Sequence, residues 1–135
     1  MSKLVISQRR VDDVMILDLE GGIRLGEENA YLHNTIRTLV ADGEKKVLLN
    51  LAQVSKIDSS GMGELIAAFT TLQKNGGEVR LLNLTQSVEE LMLMTKLLTV
   101  FDTYENEADA LKSFKSKTTG PLDQKTVQNS QVSFS

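Results

Sequence analysis

The segment that decides the fold is residues 47–84, "VLLNLAQVSKIDSSGMGELIAAFTTLQKNGGEVRLLNL". It begins within one nearly continuous apolar run, "KKVLLNL", and ends with another, "EVRLLNL". Between them Leu65, Ile66, Phe69 and Leu72 recur at helical spacing. Strands of continuous apolar character are usually covered on both faces, and a strand-helix-strand crossover implies parallel neighbours. The segment therefore predicts a β-α-β unit in a sheet that carries helices.

The same patterns extend outward from this unit. The first residues predict a hairpin around Asp12 and Asp13, whose second strand covers Val14 to Leu19 and ends before Gly21. Three further helices are predicted, at 27–41, from a capping box at 87–90, and at 107–114, with a last strand near 100–104. These elements give an α/β fold, a single mixed sheet of about five strands with about four helices in the order ββαβαβαβα.

Length and composition indicate one domain. The chain has 135 residues, of which 41% are hydrophobic and 24% charged. We expect the domain to cover residues 1–114. Residues 115–135 are rich in Ser, Thr, Gln and Lys, so they lack the apolar area that offsets the entropy of ordering, and they are predicted to be a disordered polar tail.

Charge and residue counts argue against several classes of function. The last 21 residues contain three lysines and one aspartate, so the first 114 carry 12 basic and 17 acidic residues, a poor surface for nucleic acid. There is no cysteine for a disulfide, a thiolate nucleophile or a metal site. No apolar stretch has the length of a signal peptide or membrane span. We expect a cytoplasmic protein without cofactor, metal, membrane or direct nucleic-acid binding.

Four interpretations are possible for the segment Asp58, Ser59, Ser60 and Gly61. These residues suit a helix N-terminus, where side-chain oxygens cap free N–H groups. A serine nucleophile is disfavoured because the glycine spacing of a hydrolase elbow is absent and His33, the only histidine, belongs to another predicted helix. A phosphate cradle is weakly supported, since no Walker or dinucleotide motif is present. A phosphoryl group on a serine here would be tolerated by the helix dipole.

Residues 47–84 resemble the bacterial STAS-domain anti-sigma factor antagonists, through a buried strand, the Asp-Ser-Ser-Gly-hydrophobic-Gly motif of Asp58 to Gly63, a helix, an Asn/Gly turn and a second buried strand. The likeness extends from about residue 3 to residue 114. It implies a non-enzymatic protein that binds a serine-kinase anti-sigma factor with a histidine-kinase-like ATPase fold. It also implies phosphorylation of Ser59 by that kinase and resetting by a serine phosphatase.

The same resemblance gives expectations for individual residues. Asp58 would orient the Ser59 hydroxyl and would also belong to the partner-binding surface. The other residues of that surface would be Ser60, Gly61, Met62 and Gly63. Arg24 stands about where the family commonly has an aspartate. In "LMLMTKLLTVF", Met92 is predicted to be core, while Met94 either packs under the end of its helix or belongs to an apolar patch for a partner. Two other functions stay open, a STAS scaffold subunit that is not phosphorylated and a sensor of a small ligand or nucleotide.

Overall fold

The computed structural model of the chain describes residues 4–24, 26–97 and 99–119. Five strands and four helices follow one another in the predicted order ββαβαβαβα. They are β1 (Val5–Val11), β2 (Val14–Ile23), α1 (Glu27–Ala41), β3 (Lys46–Ile57), α2 (Ser59–Lys74), β4 (Glu78–Leu82), α3 (Gln86–Met94), β5 (Asp102–Tyr104) and α4 (Glu107–Thr119).

The strands form one mixed sheet in the order β1-β2-β3-β4-β5. β1 and β2 are an antiparallel hairpin, and every later pair is parallel. The predicted fold class is therefore confirmed. The sequential order follows from the short crossovers, because each helix returns the chain to the next position along the sheet.

Two apolar clusters cover the two faces of the sheet. Helices α1, α2 and α3 pack on one face, where Leu49 and Leu51 of β3 are fully buried. Helix α4 covers the other face, where Phe114 packs with Leu48 of the same strand. Alternate residues of β3 thus enter different clusters, which confirms that "KKVLLNL" is covered on both sides.

Several boundaries differ from those predicted. β2 continues through Gly21 to Ile23, past the glycines predicted to end it, because it stays paired with β3 across two register shifts. β3 in turn runs to Ile57, so α2 begins at Ser59 rather than at Gly61 or beyond. The cap of α3 is Thr85, one residue before the helix, and not the predicted Ser87.

Helix α4 bears on the predicted division into domain and tail. Its backbone runs to Thr119, past the expected boundary at residue 114. The remainder of the predicted tail lies outside the described residues. Within the described parts of the chain, no helix is long and apolar enough to cross a lipid bilayer.

Charged groups fasten α4 to the sheet. The guanidinium of Arg9 contacts Asp18 at 2.6 Å and Glu107, the first residue of α4, at 2.7 Å. The hydrogen bond from Arg9 holds the pKa of Asp18 below its ordinary value, and the Asn50 amide donates to the same carboxylate at 2.8 Å. Arg80 of β4 is buried with its guanidinium 4.6 Å from the Phe114 ring centroid, and it also donates to Glu78 and Ser113. Arg9 thus joins α4 to β1, and Arg80 joins α4 to β4.

Candidate functional site

The motif that begins at Asp58 lies at the carboxyl edge of the parallel strands. β3 ends at Ile57, Asp58 is the cap residue with an extended backbone (φ −107°, ψ −176°), and α2 starts at Ser59. In open α/β sheets this edge is where sites are usually built, because several strand ends and helix N-termini meet there. The structure therefore places all six residues of the motif on a single corner.

Asp58 caps α2 with both side chain and backbone. Its Oδ1 accepts a hydrogen bond from the Gly61 amide at 2.8 Å, and its carbonyl accepts from the Met62 amide at 2.9 Å. Its own amide donates to the Ile23 carbonyl at 3.4 Å. The interpretation of this segment as a helix cap is therefore correct for Asp58. Because Asp58 is the cap residue, neither Ser59 nor Ser60 is the cap of α2.

Gly61 allows the first turn of α2 to rest on the end of β2. A Cβ at this position would lie 2.0 Å from the Ile23 carbonyl oxygen and 2.9 Å from the Ile23 carbonyl carbon. No L side chain can occupy that space without a movement of one backbone. The family resemblance implied that Gly61 belongs to a docking surface. In this structure the residue is buried, and its lack of a side chain fixes the position of the corner.

The remaining members of the motif differ in their access to solvent. Ser59 and Gly63 are exposed and Ser60 is partly buried. Met62 is only 2% exposed and belongs to the core cluster beneath α2. In the free chain Met62 therefore does not line a surface, contrary to expectation, since the helical turn directs it into the core.

His33 does not form a catalytic pair with the motif's serines in this structure. Its Nδ1 lies 2.8 Å from Oε2 of Glu64, which links the middle of α1 to the second turn of α2. The Glu64 side chain is largely buried, whereas that of His33 is partly exposed. The imidazole thus joins two helices, as expected for a residue on the boundary of an amphipathic helix.

A separate cleft of about 460 Å³ opens near the ends of β4 and β5. Among the residues that the structure describes, its lining contains two carboxylates, Glu89 and Glu105, and no lysine or arginine. Such a lining repels phosphate groups, so the cleft does not support the interpretation of the chain as a nucleotide sensor.

The apolar run at the end of α3 divides between core and surface. Met92 is fully buried, as predicted. Met94 is 79% exposed and Leu93 is 57% exposed, so the expectation that Met94 packs under its own helix is wrong. Val100, which follows six residues after Met94, is also exposed.

Known proteins with the same architecture were found by sequence and by structure. A candidate anti-sigma factor antagonist of Thermotoga maritima is 27% identical over 109 residues, which cover 79% of this chain and 95% of the relative. An anti-sigma factor antagonist from Mycobacterium paratuberculosis superposes with a TM-score of 0.72 at 22% identity, covering 84% of this chain and 95% of the other. The phosphorylated form of the Bacillus cell fate determinant SpoIIAA gives 0.65 at 19% identity, covering 82% and 99%.

The family model described as STAS domain matches residues 6–110, which run from β1 into α4. This range includes all of the sheet except Val5, the first residue of β1, and it includes the Asp58 to Gly63 corner. The chain belongs to the STAS domain family.

Proposed function

We propose that this chain is an anti-sigma factor antagonist that binds a serine-kinase anti-sigma factor while Ser59 is unmodified, and that phosphorylation of Ser59 ends the binding. The observation that carries the proposal is that different residues of the corner cap the helix, pack against β2 and face the solvent. Asp58 supplies the cap, Gly61 supplies the packing, and Ser59 is the exposed residue between them. A hydroxyl that neither caps nor packs can be modified without loss of the fold.

The physical effect of phosphorylation would fall on binding. The γ-phosphorus of ATP would pass to Ser59 Oγ, whose proton is lost to a base on the kinase while ADP leaves. The new group carries a charge of about −1.5 to −2 close to the Asp58 carboxylate. The helix dipole tolerates it at the first turn of α2, but a partner pressed against this corner would have to desolvate it.

The proposed partner is a kinase of the histidine-kinase-like ATPase fold, and a serine phosphatase would remove the phosphoryl group. The chain itself would act as a substrate and not as a catalyst. Support comes from the names of its relatives, which are anti-sigma factor antagonists, and from the existence of a phosphorylated form of one structural neighbour. Ser59, Ser60 and Gly63 would offer contact atoms, while Gly61 and Met62 would support them from beneath.

The test is a pull-down from the native bacterial lysate with Ser59→Ala and Ser59→Asp baits, read by mass spectrometry. A kinase-like ATPase held by the Ala bait and lost from the Asp bait is the expected result. A Ser7→Asp bait is the matched control, because it adds the same charge at an exposed serine of β1, away from the corner, and should retain the ATPase. Recovered wild-type protein should also carry phosphate at Ser59 after incubation with that ATPase and ATP.

Retention of the same proteins by the Ala and Asp baits would contradict the proposal. If those proteins were only other STAS chains, the protein would be a scaffold subunit. The exposed apolar side chains of Leu93, Met94 and Val100 would then be the first to test for a role in assembly.

A further inference from the structure

Arg24 lies on the same corner as Ser59. It is the first residue after β2, and the end of β2 supports the first turn of α2. The Cβ position of Gly61 is 2.9 Å from the carbonyl carbon of Ile23, which is the atom bonded to the backbone nitrogen of Arg24. Since that peptide bond adds only about 1.3 Å, the Arg24 nitrogen lies within about 4 Å of the Gly61 Cβ position.

Two backbone links fix this juxtaposition. Ile23 and Ile57 are paired residues of adjacent parallel strands, so the chain leaves β2 at Arg24 beside the place where it leaves β3 at Asp58. The Asp58 amide donates to the Ile23 carbonyl, which ties the two exits together. Ser59 is the next residue, so Arg24 and Ser59 stand on adjoining segments of one edge.

The chemistry of arginine suits a phosphoryl group at this place. A guanidinium offers paired N–H donors that match phosphate oxygens, and such contacts are stronger than neutral hydrogen bonds. The first turn of α2 adds the positive end of a helix dipole. The Asp58 carboxylate opposes the added charge, so a nearby cation would matter most in the modified state.

We propose that Arg24 is the intramolecular partner of a phosphoryl group on Ser59, holding the dianion against the first turn of α2. The proposal rests on the proposed function to the extent that Ser59 is the modified residue. It adds a detail to that function, because the phosphoryl group would form an ion pair within the chain, with Arg24. A phosphatase would then have to take the group from Arg24 before removing it.

The test uses the full chain with phosphoserine incorporated at position 59 during translation, so that no kinase is needed. The second ionisation of the phosphoryl group, ordinarily near pH 6, is followed by phosphorus NMR over a pH titration. In the wild-type background its pKa should be lower than in Arg24→Ala by about half a unit to one unit, because the cation favours the dianion. Arg24→Lys should give an intermediate pKa, since it keeps the charge and loses the paired donors.

Lys74→Ala is the matched control. It removes the same charge from the last turn of α2, about 22 Å along the helix, which is well beyond the screening length at physiological salt. The phosphoryl pKa should not move in this variant. Melting curves of the unmodified Arg24→Ala and Arg24→Lys chains verify folding, and the Lys variant carries the test if the Ala variant is unfolded.

Equal phosphoryl pKa values in wild type and the folded Arg24 variant would overturn the proposal, as would an equal shift in Lys74→Ala. Neither result depends on a kinase. The proposed function could therefore fail, with no kinase retained by the Ala bait, while the Arg24 contact is still measured. Conversely, the Ala bait could retain a kinase that the Asp bait loses, while the phosphoryl pKa is the same in wild type and in the Arg24 variants. That result would support the proposed function and exclude a role for Arg24 in it.

Discussion

Two strand-helix units of this chain contain the same tetrapeptide, Leu-Leu-Asn-Leu, at residues 48–51 and 81–84, and complete their strands differently. In the first unit Asn50 stays within β3, donates to Asp18 and is followed by more strand, up to Ile57. In the second, β4 stops at Leu82 and Asn83 turns the chain with a left-handed backbone, φ 59°. The same four residues therefore have two structures.

The neighbouring strands account for this. β3 lies beside β2, which is ten residues long and pairs with it as far as Ile57. β4 ends beside β5, which has only three residues, and the Asn83 amide donates to the Tyr104 carbonyl where that strand ends. Strand length is thus decided by the available partner, which local sequence does not reveal.

The caps of the two following helices also differ. Asp58 binds the Gly61 amide and leaves Ser59 exposed. Thr85 accepts from the Val88 amide at 3.5 Å and donates to the Val54 carbonyl of β3 at 3.1 Å, so its hydroxyl is held inward. The N-terminus of α2 therefore presents an exposed serine hydroxyl, while the hydroxyl at the N-terminus of α3 is used in hydrogen bonds within the fold.

The strongest challenge to this contrast is Gly61→Ala. The added Cβ meets the Ile23 carbonyl at 2.0 Å, so either backbone must shift, and we expect a loss of about 3 kcal/mol of unfolding free energy. Gly63→Ala is the control two residues away, where nothing lies within 4 Å of the new carbon. It should gain about 0.5 to 1 kcal/mol from the better helix propensity of alanine. Urea unfolding measures both, and equal effects would mean that the corner is not tightly packed.

Thr85→Ala tests the closed cap. The variant loses the helix cap and the donor to the Val54 carbonyl, so unfolding free energy should fall by about 1 to 2 kcal/mol. Thr85→Ser keeps the hydroxyl and should recover most of the loss in the same urea titration. A serine variant as unstable as the alanine variant would show that the methyl group, and not the hydroxyl, stabilises this turn.

Glycine substitution at the two asparagines tests the two backbone conformations. Asn83→Gly should be close to neutral because glycine accepts a positive φ, whereas Asn83→Ala should cost about 1 kcal/mol. Asn50→Gly should cost about 1 kcal/mol from strand propensity alone, in addition to the lost hydrogen bond to Asp18. Thermal melts of the three variants are sufficient. A neutral Asn50→Gly would contradict the role given to the long first strand.

Ser59→Ala should have little effect on stability. The hydroxyl is exposed and the cap is Asp58, so the change in unfolding free energy should stay below about 0.5 kcal/mol. The measurement is a urea titration beside Thr85→Ala. A loss as large as that of Thr85→Ala would make Ser59 a structural residue and weaken the case for its modification.

Much of the fold could be predicted from sequence because apolar periodicity is strong in most elements. α1 has its predicted bounds, since acidic residues begin it and Gly43, with a left-handed backbone, follows it. The extension of β3 was missed because "AQVSKI" alternates poorly, and only pairing with β2 makes it a strand. The buried guanidinium of Arg80 was also invisible, since its partners Ser113 and Phe114 are remote in sequence.

The sequence predicts where the candidate site lies, but not which of its residues are exposed and which are buried. The Asp58 to Gly63 motif was found, and the role of Asp58 as a cap was among the readings considered. The burial of Gly61 and Met62 was not foreseen, because it depends on the end of β2 lying beneath the first turn of α2. A glycine shortly after a helix cap is the one sequence signal of such close packing. Glycine lowers helix propensity, so its presence there indicates that a side chain would not fit.

The contact of Arg9 with Glu107 joins residues 98 positions apart and has a consequence for the order of folding. Contacts of such sequence separation carry a large loop-closure entropy and tend to slow the folding of a domain. The α4 face of the sheet can be completed only after nearly the whole domain has been synthesised. Until then Ile16, Leu48 and Leu82, buried under α4 in the finished fold, face water in the emerging chain. That interval is when this protein is most exposed to aggregation.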